Sequence, residues 1–244
     1  MLRSTRSLGG FSIGARDGEI GQVHAFLFDD RSWAIRYLAV DTGRWLRGRK
    51  VLIAASALDR PDWHAHVFPV ELTRQQVKDS PDIDANRPVS KQREAELHEY
   101  YNWAPYWGTG YGAAVLTVPP LKERQKPSDE TAREDVNLRS TREVVGYRIH
   151  ATDGQIGHIE DFIVSDEDWV IRYLVVDTRN WLGGRSVLVS PEWVATITWE
   201  EQEVWVDVSK QRIEDCPPYD PSAPVNREYE VQMYDYYGRP KYWA

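Results

Sequence analysis

"IRYLAVDTGRW", residues 35–45, returns as "IRYLVVDTRNW", residues 171–181, after 136 positions. The same offset carries LRSTR at 2–6 onto 138–142 and DGEIG at 17–21 onto DGQIG at 153–157. It also carries WLRGRKVL at 45–52 onto WLGGRSVL at 181–188, and YYNWAPYW at 100–107 onto YYGRPKYW at 236–243. No gap is needed, and 41 of 106 paired positions are identical. A tandem duplication explains this. Its period is too long for a solenoid, whose repeats run to roughly 20–50 residues. Each copy is therefore a whole domain: residues 1–112, then a polar, Pro-bearing linker at 113–136, then residues 137–244.

The repeated stretch reads as a strand. In the second copy Arg172, Leu174 and Val176 point one way, and Ile171, Tyr173, Val175 and Asp177 the other. Both faces are mostly apolar, so the strand is central and covered. Upstream, Asp17–Gly18 and Asp153–Gly154 sit between β-rich runs, the strongest short hairpin signal. The run after each turn, with Ile20, Val23, Phe26 and Phe28 or Ile156, Ile159, Phe162 and Val164, alternates imperfectly and leaves room for a bulge. Downstream, "RSVLVSPEWV" and "EEQEVWVDVS" add short strands. Strands of this length with no long helix between them predict a small closed or nearly closed β-barrel. Thr73 and Ser209 then open one short helix in each copy, and Ser90 and Asn226 a second. An aromatic tail ends each copy. The predicted fold class is mainly β: two tandem small barrels, each followed by short helices and a tail.

Composition narrows the function. The 244 residues are 41% hydrophobic and 28% charged, ordinary for a globular chain, with 11 Trp and 13 Tyr. No apolar run approaches a membrane span, and the first residues lack the apolar core of a secretory signal. One cysteine, Cys216, rules out an intramolecular disulfide framework. Cys216 itself reads as a partly exposed structural residue. These features predict a cytoplasmic protein. The net charge of −8 is uneven: residues 1–112 carry +1 and residues 137–244 carry −8. That argues against general nucleic-acid binding, which needs a basic footprint. It suits the orientation of a protein partner.

No constellation points to catalysis or to a cofactor. Asp41–Thr42 and Asp177–Thr178 end equivalent strands and read as turns in which side chains bond nearby amides. His64 and His66 share a strand face but have no third metal ligand, and copy two has Glu200 and Gln202 there. Asp29–Asp30 and Asp166–Glu167–Asp168 read as solvated turn charges. No phosphate-binding, dinucleotide-binding or hydrolase-elbow motif is present. What remains is a candidate interaction surface: Arg44, Trp45, Arg47, Arg49 and Trp107 in copy one, and Arg179, Trp181, Arg185 and Trp243 in copy two. Arg and Trp dominate binding hot spots. Packing in the core and between the copies is the first expectation for the tail aromatics, with a partner surface second.

The combination "DGxxxG", "RYLVVDT" and "WLGGRSVLV", over about residues 5–80 and 141–216, resembles the PRC-barrel domain. The photosynthetic reaction-centre H subunit carries such a domain on its cytoplasmic side, and many bacterial proteins are built from one alone. The resemblance implies a six-stranded, partly open barrel and a role in protein assembly without a shared catalytic site. The expected function is therefore a non-catalytic assembly or adaptor module, peripheral to a membrane complex. A small-ligand binding protein with two related sites is the alternative. Two fused copies also suggest an intramolecular pseudo-dimer, flanked by Trp45, Trp181 and the tail aromatics, with beads on a string joined by the 113–136 linker as the alternative. A homo-oligomer stays open, and the identity of any protein partner is unknown.

Overall fold

The computed structural model describes residues 1–81, 89, 91–107, 138–178 and 185–244. The expected linker at 113–136, together with Arg179 and Trp181, lies outside the described residues. The chain is mainly β and forms two compact units. One consists of Leu8–Ser140. The other consists of Met1–Ser7 and Thr141–Ala244. The units thus do not follow the repeat boundaries: each contains a short strand that belongs, by sequence, to the other repeat.

In the unit of residues 8–140, β2 (Ser12–Ala15) and β3 (Gly18–Asp29) form the hairpin that Asp17–Gly18 predicts. β3 is twelve residues long and bends. It pairs with β4 (Ile35–Asp41), and the register slips between Val23 and Ala25 and between Leu27 and Phe28. β4 is covered on both faces because β3 and β5 (Lys50–Ala54) flank it. β6 (Val67–Pro69) closes the order β5-β4-β3-β2-β6 and runs parallel to β2. The sixth strand is β7 (Leu138–Ser140), which lies antiparallel to Leu27–Asp29 of β3.

The other unit repeats this plan. β8 (Arg148–Ala151), β9 (Gly154–Ser165), β10 (Ile171–Asp177) and β11 (Ser186–Val189) correspond to β2 through β5. β12 (Val194–Thr198) and β13 (Glu203–Val206) complete the order β11-β10-β9-β8-β13-β12. Here the added strand is β1 (Leu2–Ser4), antiparallel to Ile163–Ser165 of β9. The two exchanges are equivalent: β1 lies on β9 where β7 lies on β3. The extra strand β12 has a simple cause. Its counterpart in the first repeat holds Pro61 where the second has Ile197. Proline has no N–H for a ladder, and only isolated bridges, Leu58 to Val70 and Asp62 to Val67, form there.

The structure corrects the barrel expectation. Both sheets are open among the described residues. Between β11 and β12 the chain makes a 3₁₀ turn at Pro191–Trp193, so the two edges are joined by a turn and not by a ladder. Ala55–Ala57 does the same after β5.

Helices close one face of each sheet. α1 (Thr5–Leu8) and α4 (Thr141–Val144) are single turns after the exchanged strands. α2 (Arg74–Asp79) starts at the predicted Thr73, which makes a capping box with Gln76. α5 (Lys210–Glu214) follows Ser209, whose side chain makes no cap bond. The hairpin aspartates cap both helices: Asp17 accepts from Arg74 N and Asp153 from Lys210 N, each at 2.8 Å. α3 (Lys91–Tyr101) packs on the core formed by Ala25, Leu27, Tyr37, Ala39, Leu52, Ala54 and Leu138. α6 (Arg227–Tyr237) is its counterpart, capped by Asn226 and ended by Gly238 in the left-handed conformation.

Candidate functional site

α3 and α6 each place an acid on the face that packs inward. In α6 the buried positions are Glu230, Met233, Tyr234 and Tyr237, a regular helical stripe that begins with a carboxylate. In α3, Glu94, Leu97 and His98 are buried in the same pattern. A buried carboxylate must be matched by donors. Tyr173, from the repeated strand, donates to Glu230 at 2.6 Å, and Tyr242, from the tail, donates at 2.8 Å. Arg227 adds an ion pair at 3.0 Å. In the other unit Tyr37 and Tyr106 both donate to Glu94. Tyr37 also lies 2.7 Å from His98 Nε2.

These two nodes bind the aromatic tails to their own units. The Arg36 guanidinium lies 4.1 Å above the Tyr106 ring, and Arg172 lies 4.2 Å above Tyr242. Trp243 is covered by Arg227 at 4.1 Å, while Trp107 meets His98 and Tyr106 edge-on and keeps an exposed face. Burial and the neighbouring Glu94 push the hydroxyl pKa values of Tyr37 and Tyr106 far above the ordinary phenol range. Tyr242, less enclosed, is pushed up to about 12 by burial and by Glu230. The nodes therefore hold neutral phenols against a carboxylate, an arrangement suited to stapling a tail.

The basic residues of the candidate surface divide into two kinds. Arg49 donates to the carbonyls of Lys78, Ser80 and Pro81 and so clamps the end of α2. Arg185 does the same at the end of α5, through Glu214 and Cys216. Arg44 and Arg47 stay exposed on the loop after β4. Between them Trp45 is half-buried. Its indole N–H donates to Ile20 O at 2.5 Å, and Arg74 covers its ring at 4.6 Å. Trp45 forms one wall of a groove of about 420 Å³ lined by Glu19, Gly21, Gln22, Asp41 and Thr42. Gly21 is required on the groove floor because a Cβ there would lie 2.1 Å from Asp41 O. Gly157 has the same constraint against Asp177 O at 2.0 Å.

The remaining sequence candidates have structural partners. Thr42 and Thr178 donate to Arg49 O and Arg185 O, each at 2.6 Å, and Asp41 accepts from Gly43 N. Asp177 is buried and faces His158 Nε2 at 3.5 Å, whereas Asp41 is exposed. Asp29 caps its turn through the amides of Arg31 and Ser32. His64 and His66 lie in a turn and not on a strand face, with Asp62 capping His64 N and with His66 stacked on Phe11. Among the described residues no three acidic, His or Cys side chains gather as a metal site. Cys216 is buried, unlike the partly exposed residue expected, and burial raises its thiol pKa. Such a thiol is a poor nucleophile.

Sequence reasoning missed Glu94, Glu230, Arg36, Arg172 and Asp161. The first four had a signal. They are identical between the repeats, and an acid repeated on the apolar stripe of a helix needs a buried partner. Asp161 had none, since its counterpart is Ala25.

Residues 137–214 match the PRC-barrel domain family. The match falls on the second repeat. No curated protein matches the chain.

Proposed function

We propose that the chain is a non-catalytic adaptor that holds a protein partner on its two β units, at the cytoplasmic face of a membrane complex. The PRC-barrel match over residues 137–214 carries this reading. The chemistry of the two nodes supports it. Glu94 and Glu230 are engaged by tyrosines, Arg49 and Arg185 by carbonyls, and the Cys216 thiol is buried. The side chains that a partner can reach are those that face solvent, Arg44, Arg47 and Trp107 among them. An acidic partner surface suits the two arginines. No helix among the described residues is long and apolar enough to cross a membrane.

The test is affinity capture from the source organism with the intact chain and with an Arg44→Glu, Arg47→Glu, Trp107→Ala variant. A partner kept by the parent and lost by the variant supports the adaptor reading. Identical capture by both, or capture of nothing by the parent, defeats it. A second reading, small-ligand binding, rests on the groove beside Trp45. A metabolite that changes tryptophan fluorescence in the parent and not in Trp45→Phe would favour it.

A further inference from the structure

The two exchanged segments are the same five residues: LRSTR at 2–6 and LRSTR at 138–142. Their acceptors differ. On β9 the donor meets acids. Asp161, buried, accepts from Ser4 Oγ, from Thr5 Oγ1 at 2.7 Å and from Arg6 N at 3.1 Å. Arg3 pairs with Asp166 at 2.7 Å, and Arg6 with Glu160 at 3.2 Å. On β3 the positions of Asp161 and Glu160 are Ala25 and His24. There Leu138, fully buried beside Ala25 and Leu27, belongs to the core of that unit.

An acceptor recognises side chains and backbone, and both donors present the same ones. Side-chain chemistry therefore cannot tell a segment of this chain from the same segment of another. Covalent connection decides instead, by giving the tethered segment an effective concentration in roughly the millimolar range. Chains folding together at a similar concentration offer an equal donor. That is the condition under which identical elements exchange between protomers.

We propose that the β9 edge around Asp161 is a docking site for the Leu2–Arg6 strand of a second copy of this chain. Two copies folding together pass these strands to each other and form an exchanged dimer. The basic donor, with Arg3 and Arg6, meets an acceptor carrying Glu160, Asp161 and Asp166 in either case. The proposal rests on the strand pairing and is independent of the adaptor reading.

The experiment uses full-length chains with Cys216→Ser. One variant carries Leu2→Cys, another Ser165→Cys, and a third carries both. Leu2 and Ser165 are directly opposed in the ladder. Equal amounts of the two single variants are unfolded, mixed and refolded at high and at low concentration, then oxidised. The expected result is a disulfide-linked dimer that falls roughly tenfold or more on hundredfold dilution before refolding, as the tethered strand outcompetes the free one. The double variant shows that both cysteines are tolerated and meet. The proposal is overturned if the double variant closes within one chain while the mixed singles never cross-link. It is equally overturned if cross-linking ignores dilution, or if the double variant fails to close.

Discussion

At the residue scale, Glu230 is the most consequential side chain outside the apolar core. It is 2% exposed and accepts from two phenols. Removing it strands the buried donor of Tyr173, at a cost on the order of 1–3 kcal/mol, and the half-buried donor of Tyr242. Glu230→Ala should therefore lose about 3–4 kcal/mol in urea unfolding, and Glu230→Gln, which keeps an acceptor, about 1 kcal/mol. Equal losses for the two would show that the charge of the carboxylate, and not the acceptor that glutamine keeps, holds this site. The tyrosines also set the alkaline limit. Their folded pKa values lie above the ordinary value of 10.0, Tyr101 and Tyr242 reaching about 12, through burial first. The unfolded chain then loses these protons first as pH rises. Stability from these groups is complete below pH 10 and falls through the window up to their folded values. Unfolding with cooperative appearance of tyrosinate absorbance above pH 10 is the expected outcome. Tyrosinate appearing gradually, in a chain that stays folded, would contradict the buried nodes.

At the element scale, much was legible and the misses have physical reasons. The Asp–Gly hairpins, the covered central strand, the bulged long strand and the Thr73 cap all follow from local chemistry, and all are present. Closure is not local. Whether a curled sheet seals depends on pairing between edges distant in sequence, and here 3₁₀ turns stand at the seam. The exchange of β1 and β7 is hard to read from the sequence because the two LRSTR segments are identical; what sets the first apart is Met1, whose ammonium pairs with Asp166 and Glu167 beside β9. Of the candidate surface, Arg49 and Arg185 hold helix ends, a role that the sequence hides because it is set by partners some 30 residues downstream. The crossing of β9 and β10 offers a clean element-level test. Gly157→Ala would drive a Cβ into Asp177 O. We expect a loss of about 2–3 kcal/mol, as for other overpacked sites, read as a lower urea midpoint with unchanged slope. Unaltered stability would show that the two backbones are less close than described.

At the scale of the whole molecule, duplication and exchange together explain the architecture. Each compact unit is finished by a strand that belongs, by sequence, to the other repeat. The repeats are thereby bound by backbone pairing as well as by the covalent chain. The direct test of the exchange is disulfide trapping in dilute, native, full-length protein with Cys216→Ser. Directly opposed residues in an antiparallel ladder have Cα atoms roughly 4.5–5.5 Å apart, within disulfide reach. Leu2→Cys with Ser165→Cys tests the exchanged pairing. Leu2→Cys with Asp29→Cys tests the unexchanged one, since Asp29 opposes Leu138. The account predicts rapid closure within one chain for the Leu2–Ser165 pair and none for the Leu2–Asp29 pair; the reverse result would contradict it.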